Sequence, residues 1–498
     1  MPQKGSTDLF LLIKSLDRTE KAYFKKFAER HVIGQENNYL KLFDAIDKQT
    51  EYDEAKILRE EKYIKQLPYL KNYLFDLVMK SLNVYHADAS PENRMGNAIL
   101  RIRTLYKKGL FDLCLKLIAR AKEECEHYDF FMEIVTLLSI ENRILDETGK
   151  RQDNKKISDA LNKQKLHFLE CEKNITELSS LQSELLFKEW ELQTKRQLPQ
   201  AKDFASVMKN PLLQDEKLAL SLTAKTLFNN IHSLYYRFIG DLEKHCQYAS
   251  RHKELHREKL LLFNDVLKYI ISLNNYYLSC FYTKKFEQCE KILDEMKALP
   301  TKTLREEEEV LGRYLLFKSG LFIIQHDYKN GALFLKQHEA MYERIKEVMK
   351  INRHATFISN VFKIHFFNEN YKESLKWMNL MLSTTYSKPD SETYCHVLIN
   401  NLMVHYELGN HDLIPYLIKS AHRFFSTHKI LKPFEKIWFK LFSELIKTNA
   451  DKKQLFEQTK QELETLMREP YYSDIDMLFD YGQWLDHKIA LEKPKRKS

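Results

Sequence analysis

The sequence predicts an all-α protein: an α-solenoid of about eight or nine antiparallel helix pairs, preceded by an N-terminal helical subdomain. Three observations carry that reading. The first is composition, because Gly and Pro number only 11 each in 498 residues, far below their usual shares of roughly 7% and 5%. With Leu, Lys, Glu and Phe abundant, helix is favoured throughout. The second is a recurring turn signature: Gly240-Asp241-Leu242, Lys285-Phe286, Asp327-Tyr328, Asn370-Tyr371 and Gly409-Asn410-His411. Aligned on Leu242, Phe286, Tyr328, Tyr371 and His411, these lie 44, 42, 43 and 40 residues apart. The third is an apolar helical period on both sides of each turn. A lone helix pair leaves its apolar face in water, whereas stacked pairs bury it in one continuous core.

Residues 1–86 read as the helical subdomain. Asp17-Arg18-Thr19-Glu20 has capping-box spacing and opens a helix bearing Tyr23, Phe24 and Phe27. Leu40, Leu42, Phe43 and Ile46 mark a second helix, and Asp53 caps a short third. A long helix within Tyr63 to Tyr85 aligns Leu67, Leu70, Leu74, Leu77, Val78 and Leu82 on one face, with Pro68 in its first turn or at a kink.

After a linker at Ala87 to Pro91, the repeats occupy 94–450. Gly109-Leu110-Phe111 carries the same signature, and the 131 residues from Phe111 to Leu242 leave room for two degenerate turns. Those fall near Gly149-Lys150-Arg151 and Lys195-Arg196-Gln197, and a ninth turn near Asn449-Ala450-Asp451. Thr303-Leu304-Arg305-Glu306 is another capping box, making the acidic run Glu306 to Glu309 a first-turn feature favoured by the helix dipole. Residues 451–498 supply capping helices and the basic tail Lys493-Pro494-Lys495-Arg496-Lys497. The terminal helix is placed at 473–491, with Leu478, Phe479, Trp484, Leu485 and Ile489.

At the turns the chain resembles the tetratricopeptide family, in which a Gly-Asp/Asn-aromatic turn is followed three positions later by a small residue. Here Phe111 is followed by Cys114, Phe286 by Cys289, Tyr328 by Gly331 and Tyr371 by Ser374. The period of 40–46 residues departs from the family's 34. The first 86 residues also resemble the opening of uncharacterised helical-repeat proteins of Bacteroidota bacteria, which implies no activity.

The resemblance implies a peptide-binding groove. Asn275, Asn360 and Asn400 each lie 11 residues before the turn position, and Asn230 lies 12 before it. In some tetratricopeptide superhelices that place carries an asparagine ladder, whose amides donate to and accept from a bound peptide backbone. Phe317 interrupts the series. The plainer alternative is that these amides bond neighbouring helices or solvent.

Other functions find less support. No two glycines lie closer than eight residues, which excludes Gly-x-Gly-x-x-Gly, Gly-x-Ser-x-Gly and Walker loops. His245, His252 and His256 form a stripe at helical spacing, but Lys253 stands where a metalloprotease needs Glu. A partly exposed histidine face is the expectation there, with no metal, no cofactor and no enzyme activity. The net charge of +9 arises from 79 basic and 70 acidic residues, interspersed as on a solvated surface. The alternative function is a regulator whose subdomain 1–86 contacts DNA through Lys62, Lys65, Lys71 and Lys80. Seven cysteines without a Cys-x-x-Cys, and no long uncharged apolar run, fit a cytoplasmic protein with reduced thiols. The leading expectation is a non-catalytic scaffold that binds a protein or peptide partner.

Overall fold

All five turn signatures fall where one helix ends and the next begins. The structure is a computed structural model describing residues 7–29, 38–61, 63–64, 66–88, 90–148, 151–195, 197–263, 266–301, 303–383, 392–447, 451–469, 472 and 479–492. No strand occurs among the described residues. Contacts group the chain into two compact units, 1–172 and 173–498.

The first unit holds α1 (Asp8–Ser15), α2 (Arg18–Glu29), α3 (Asn38–Lys48), α4 (Glu54–Glu60), α5 (Leu67–Tyr85), α6 (Pro91–Lys107), α7 (Phe111–His127) and α8 (Phe131–Thr148), and the first half of α9 (Arg151–Thr194). The expected capping box forms: the Asp17 amide donates to Glu20 Oε2 at 2.9 Å, and the Glu20 amide to Asp17 Oδ1 at 2.8 Å. Asp53 caps α4 through the Lys56 amide. Leu9, Ile13, Phe24, Phe43, Ile46, Leu74 and Val78 make one core. Helix α1 was not foreseen; its five apolar residues were too few to show a period. Lys71 is buried, bonded to Glu54 Oε2 at 3.0 Å and Tyr52 Oη at 2.7 Å. Lys62 and Lys65 lie outside the described residues.

The second unit takes up the rest of α9, then α10 (Ala205–Met208), α11 (Leu222–Phe238), α12 (Leu242–Phe263), α13 (Val266–Tyr282), α14 (Phe286–Lys297), α15 (Leu304–Ile324), α16 (Tyr328–Gln337), α17 (Glu339–Ile345), α18 (Ile351–Phe367) and α19 (Tyr371–Leu382). It ends with α20 (Glu392–Glu407), α21 (Ile414–Thr427), α22 (Pro433–Leu445), α23 (Lys452–Leu466) and α24 (Tyr481–Leu491). Consecutive helices pack, and α12, α14, α16, α19 and α21 each touch the helix before and the helix after.

The turn chemistry is uniform. Leu242, Phe286, Tyr328 and Tyr371 are each the first residue of a helix, and His411 opens a short 3₁₀ turn before α21. Two positions earlier the backbone enters the left-handed region, at Gly240, Lys284, His326, Glu369 and Gly409. Gly109 does the same before Phe111, and Asp129 before Phe131. At each of these turns except the one at Gly240, the amide one residue on reaches back five positions, as in Lys285 to Cys280 at 2.8 Å and Asn370 to His365 at 2.9 Å, which satisfies an orphan carbonyl of the finished helix. Left-handed backbone costs an L-residue roughly 1–2 kcal/mol. Lys284→Gly and Glu369→Gly are therefore expected to raise stability by about 0.5–1 kcal/mol each. Urea unfolding checks this, and a loss of stability would contradict the assigned turns.

A second register repeats three residues after each turn. Cys114 Sγ lies 3.5 Å from the Ile102 carbonyl, Cys289 Sγ 4.0 Å from Tyr277, and Ser374 Oγ 3.2 Å from Phe362, each twelve residues back. A small side chain lets the two helices approach. At Gly331 an added Cβ would stand 3.2 Å from Phe322 Cβ and 3.3 Å from Ile364. Burial pushes the thiols of Cys125 and Cys289 up to about 12, so they pack rather than react.

The span between Phe111 and Leu242 departs from the expected three periods. Residues 149–150 and 196, where its two degenerate turns were expected, lie outside the described residues, as do 449–450 of the ninth. Residues 151–194 form one 44-residue helix, with no Gly or Pro to break it. Residues 201–218 then form short turns rather than a partner helix. Phe204, Val207 and Leu213 from those turns cover Leu178 and Leu185, supplying the apolar cover that a second helix would have given.

Candidate functional site

The four asparagines sit at one level of four helices, and all are buried. Asn275 Nδ2 donates to Asn230 Oδ1 at 2.7 Å, and Asn230 Nδ2 to Gln182 Oε1 at 3.1 Å, joining α13, α11 and α9. Asn360 Nδ2 donates to Ser319 Oγ at 3.1 Å and the Leu316 carbonyl at 3.2 Å, joining α18 to α15. Asn400 Oδ1 accepts from Tyr481 Oη at 2.9 Å. At the interrupted position the Phe317 ring stacks on Tyr277, 4.3 Å between centroids, and the Phe317 carbonyl accepts from Tyr277 Oη at 2.8 Å. Asn230, Asn275 and Asn360 thus tie their helices to an earlier helix, whereas Asn400 ties α20 to the terminal helix.

Around each asparagine the helical period collects a stripe. On α13 it comprises Lys268, Ile271, Asn275, Leu278 and Tyr282, and Ile271 and Tyr282 are 45% and 38% exposed. On α18 it comprises Thr356, Asn360, Lys363 and Phe367; on α20, His396, Asn400, Met403 and Glu407. Lys363 is 8% exposed, and among the described residues its ammonium has no hydrogen-bonding or ionic partner. Burial alone pushes its pKa down to about 8.

The α20 stripe is occupied. Residues 479–491 lie on it: Tyr481 Oη is also 2.9 Å from His396 Nδ1, and Trp484 Nε1 donates to Glu407 Oε1 at 2.6 Å. Lys488 pairs with the same carboxylate. Phe479 reaches Phe366 and Phe367 of α18, at 5.2 and 4.9 Å between centroids, while Gln483 Oε1 accepts from Tyr328 Oη at 2.8 Å. The terminal helix begins at Tyr481 rather than 473, and residues 473–478, Leu478 among them, lie outside the described set, as does the basic tail.

A buried ionic cluster was missed. Only Glu306 and Glu307 of the expected acidic run lie in the first turn of α15; Glu308 and Glu309 instead pair across helices, Arg353 of α18 meeting both, at 2.8 Å to Glu309, and Glu309 also receiving Arg313 and Lys350. Burial pushes the Glu309 carboxyl up, but hydrogen bonds from Lys350 and Arg313 and the charges of Arg313 and Arg353 outweigh it and hold it at about 2. Acids and bases 44 residues apart, one period, were the signal that a pairwise reading of the repeats would have used.

The histidine stripe is buried rather than partly exposed: His245, His252 and His256 are 1%, 2% and 9% exposed. His245 occupies the small-residue slot after its turn, with Nδ1 2.9 Å from the Ser233 carbonyl. Among the described residues no three His, Cys, Asp or Glu side chains are grouped to hold a metal. Burial, then the charge of Arg237, pushes His245 down to about 4, and burial holds His252 well below its usual value. Both stay neutral in the fold while unfolded histidine protonates near pH 6.5. Stability is therefore lost as pH falls from about 6.5 towards 4, by about 2 kcal/mol at pH 5 for His245 alone. Denaturant unfolding at pH 7 and 5 tests this; His245→Ser should flatten the slope, and an unchanged slope would contradict the assignment.

Among the described residues no helix is long and apolar enough to cross a membrane. Comparison of the chain with protein-family models, curated proteins and solved structures gives no match.

Proposed function

We propose that this chain is a non-catalytic, tetratricopeptide-like scaffold whose antiparallel helix pairs present one row of helices, α11, α13, α15, α18 and α20, to a protein partner. The observation that carries the reading is that a polypeptide segment already lies on part of that row. Residues 479–491 engage α20 and α18 by aromatic insertion and side-chain hydrogen bonds, the combination by which helical grooves take peptides. On α13 the corresponding stripe leaves Ile271 and Tyr282 open. In this reading the asparagines act one step back from the ligand. Their amides fix the spacing of the helices, so that exposed residues beside them meet the partner in a set geometry.

Affinity recovery from the native cell tests the proposal. Ile271→Glu/Tyr282→Glu should lose partners that the wild type retains, while Tyr416→Glu, on exposed α21, should keep them. Equal recovery by all three chains would remove it.

A further inference from the structure

The segment lying on the α20 stripe says what kind of partner that stripe accepts. Residues 479–491 return to residues up to 157 positions earlier in sequence, and their anchors recur at helical spacing. Tyr481 takes Asn400 and His396, Trp484 takes Glu407, and Lys488 shares Glu407. Tyr481, Trp484 and Lys488 follow at i, i+3 and i+7, one face of a helix. Phe479 precedes them outside the helix, against Phe362, Phe366 and Phe367. The outer bonds of the segment are exposed. Asp486, 60% exposed, meets Lys460 at 2.5 Å, and Asp480 meets His326, itself 56% exposed, at 3.6 Å. Exposed pairs of that kind contribute little, so the segment is held by buried Phe479, Tyr481, Trp484 and Leu485 and by one buried carboxylate; the same rings also pack on Phe434 and Trp438 of α22 and Phe456 of α23.

We propose that residues 479–491 are a built-in occupant of the partner site, displaced by a partner's amphipathic helix that presents an aromatic residue, then Tyr, Trp and Lys at the spacing of 479, 481, 484 and 488. This rests on the scaffold reading above. The same carboxylate and amide serve the internal segment and the incoming one, so the two compete. Apparent affinity for a partner is reduced by the fraction of chains in which the stripe is open. Weakening the internal anchors therefore tightens binding from outside.

The test uses the full chain and a labelled synthetic peptide of residues 476–492. The Trp484→Ala chain is expected to bind that peptide at least about tenfold more tightly than the wild type does. A peptide with Tyr481, Trp484 and Lys488 all replaced by Ala should bind neither. No gain on Trp484→Ala would overturn the proposal. Should that variant fail to fold, hydrogen exchange on the wild type decides: amides of 479–491 must open well before those of α20 and α22. Exchange of all three in step would make the segment ordinary core and sink the idea. That failure leaves the scaffold reading standing if Ile271→Glu/Tyr282→Glu still loses its partners, and the two are thereby separable.

Discussion

Arg353→Ala is expected to destabilise the 173–498 unit by about 3–5 kcal/mol, because it strands the buried Glu308 carboxylate without its counter-ion. Arg353 and Glu308 side chains are 9% and 3% exposed, and Glu309 7%. Glu309 keeps Arg313 and Lys350, but among the described residues Glu308 has no ionic partner other than Arg353. Arg353→Lys should recover only part of the loss, since an ammonium cannot bridge two carboxylates as the guanidinium fork does. The double variant Glu308→Ala/Arg353→Ala should cost less than the two single losses together. Acid supplies an independent check. A carboxyl held at about 2 contributes stability that is full above its unfolded value near 4.5 and fades as pH falls from there towards 2. Urea unfolding across that range measures it, and an Arg353→Ala chain as stable as wild type would refute the cluster.

Lys363→Met is expected to act in the opposite direction, stabilising the same unit by about 2–3 kcal/mol at pH 7. A buried ammonium with no partner among the described residues is held at a cost, and methionine fills nearly the same volume without charge. The sign follows from linkage. With a folded pKa of about 8 below the unfolded 10.5, the unfolded chain binds the extra proton between those values, so wild-type stability rises with pH from about 8 to 10.5. Lys363→Met should abolish that rise. A destabilised Lys363→Met chain would mean that the ammonium has a partner in solution.

The repeat was legible because turns are written locally. The residue opening each second helix, the small residue three places on and the capping boxes at Asp17 and Thr303 are short-range chemistry, and all fall where the spacing put them. In three adjacent aromatic pairs one ring is buried and the other partly covered, as a 100° step allows (Tyr277 with Tyr276, Phe366 with Phe367, Phe425 with Phe424), whereas Tyr235 and Tyr236 are both only partly buried. What was not legible depends on pairings a period or more apart. For the asparagines, the plainer of the two readings, bonds to neighbouring helices, is the one the geometry gives at Asn230, Asn275 and Asn360, while the bond of Asn400 to Tyr481 left no local trace. The return of residues 479–491 left only an amphipathic helix as its trace. The left-handed residues at Lys284, His326 and Glu369 were hidden because the expected glycine is missing there. The 44-residue α9 was misjudged because an even period was imposed on a stretch without turn residues.

The most direct test of the binding row is hydrogen exchange on the purified chain, alone and with a partner recovered from the native cell. Protection gained on α11, α13 and α15, around Asn230, Asn275 and Tyr282, is the predicted result. Protection confined to α14, α16 and α21 would contradict it.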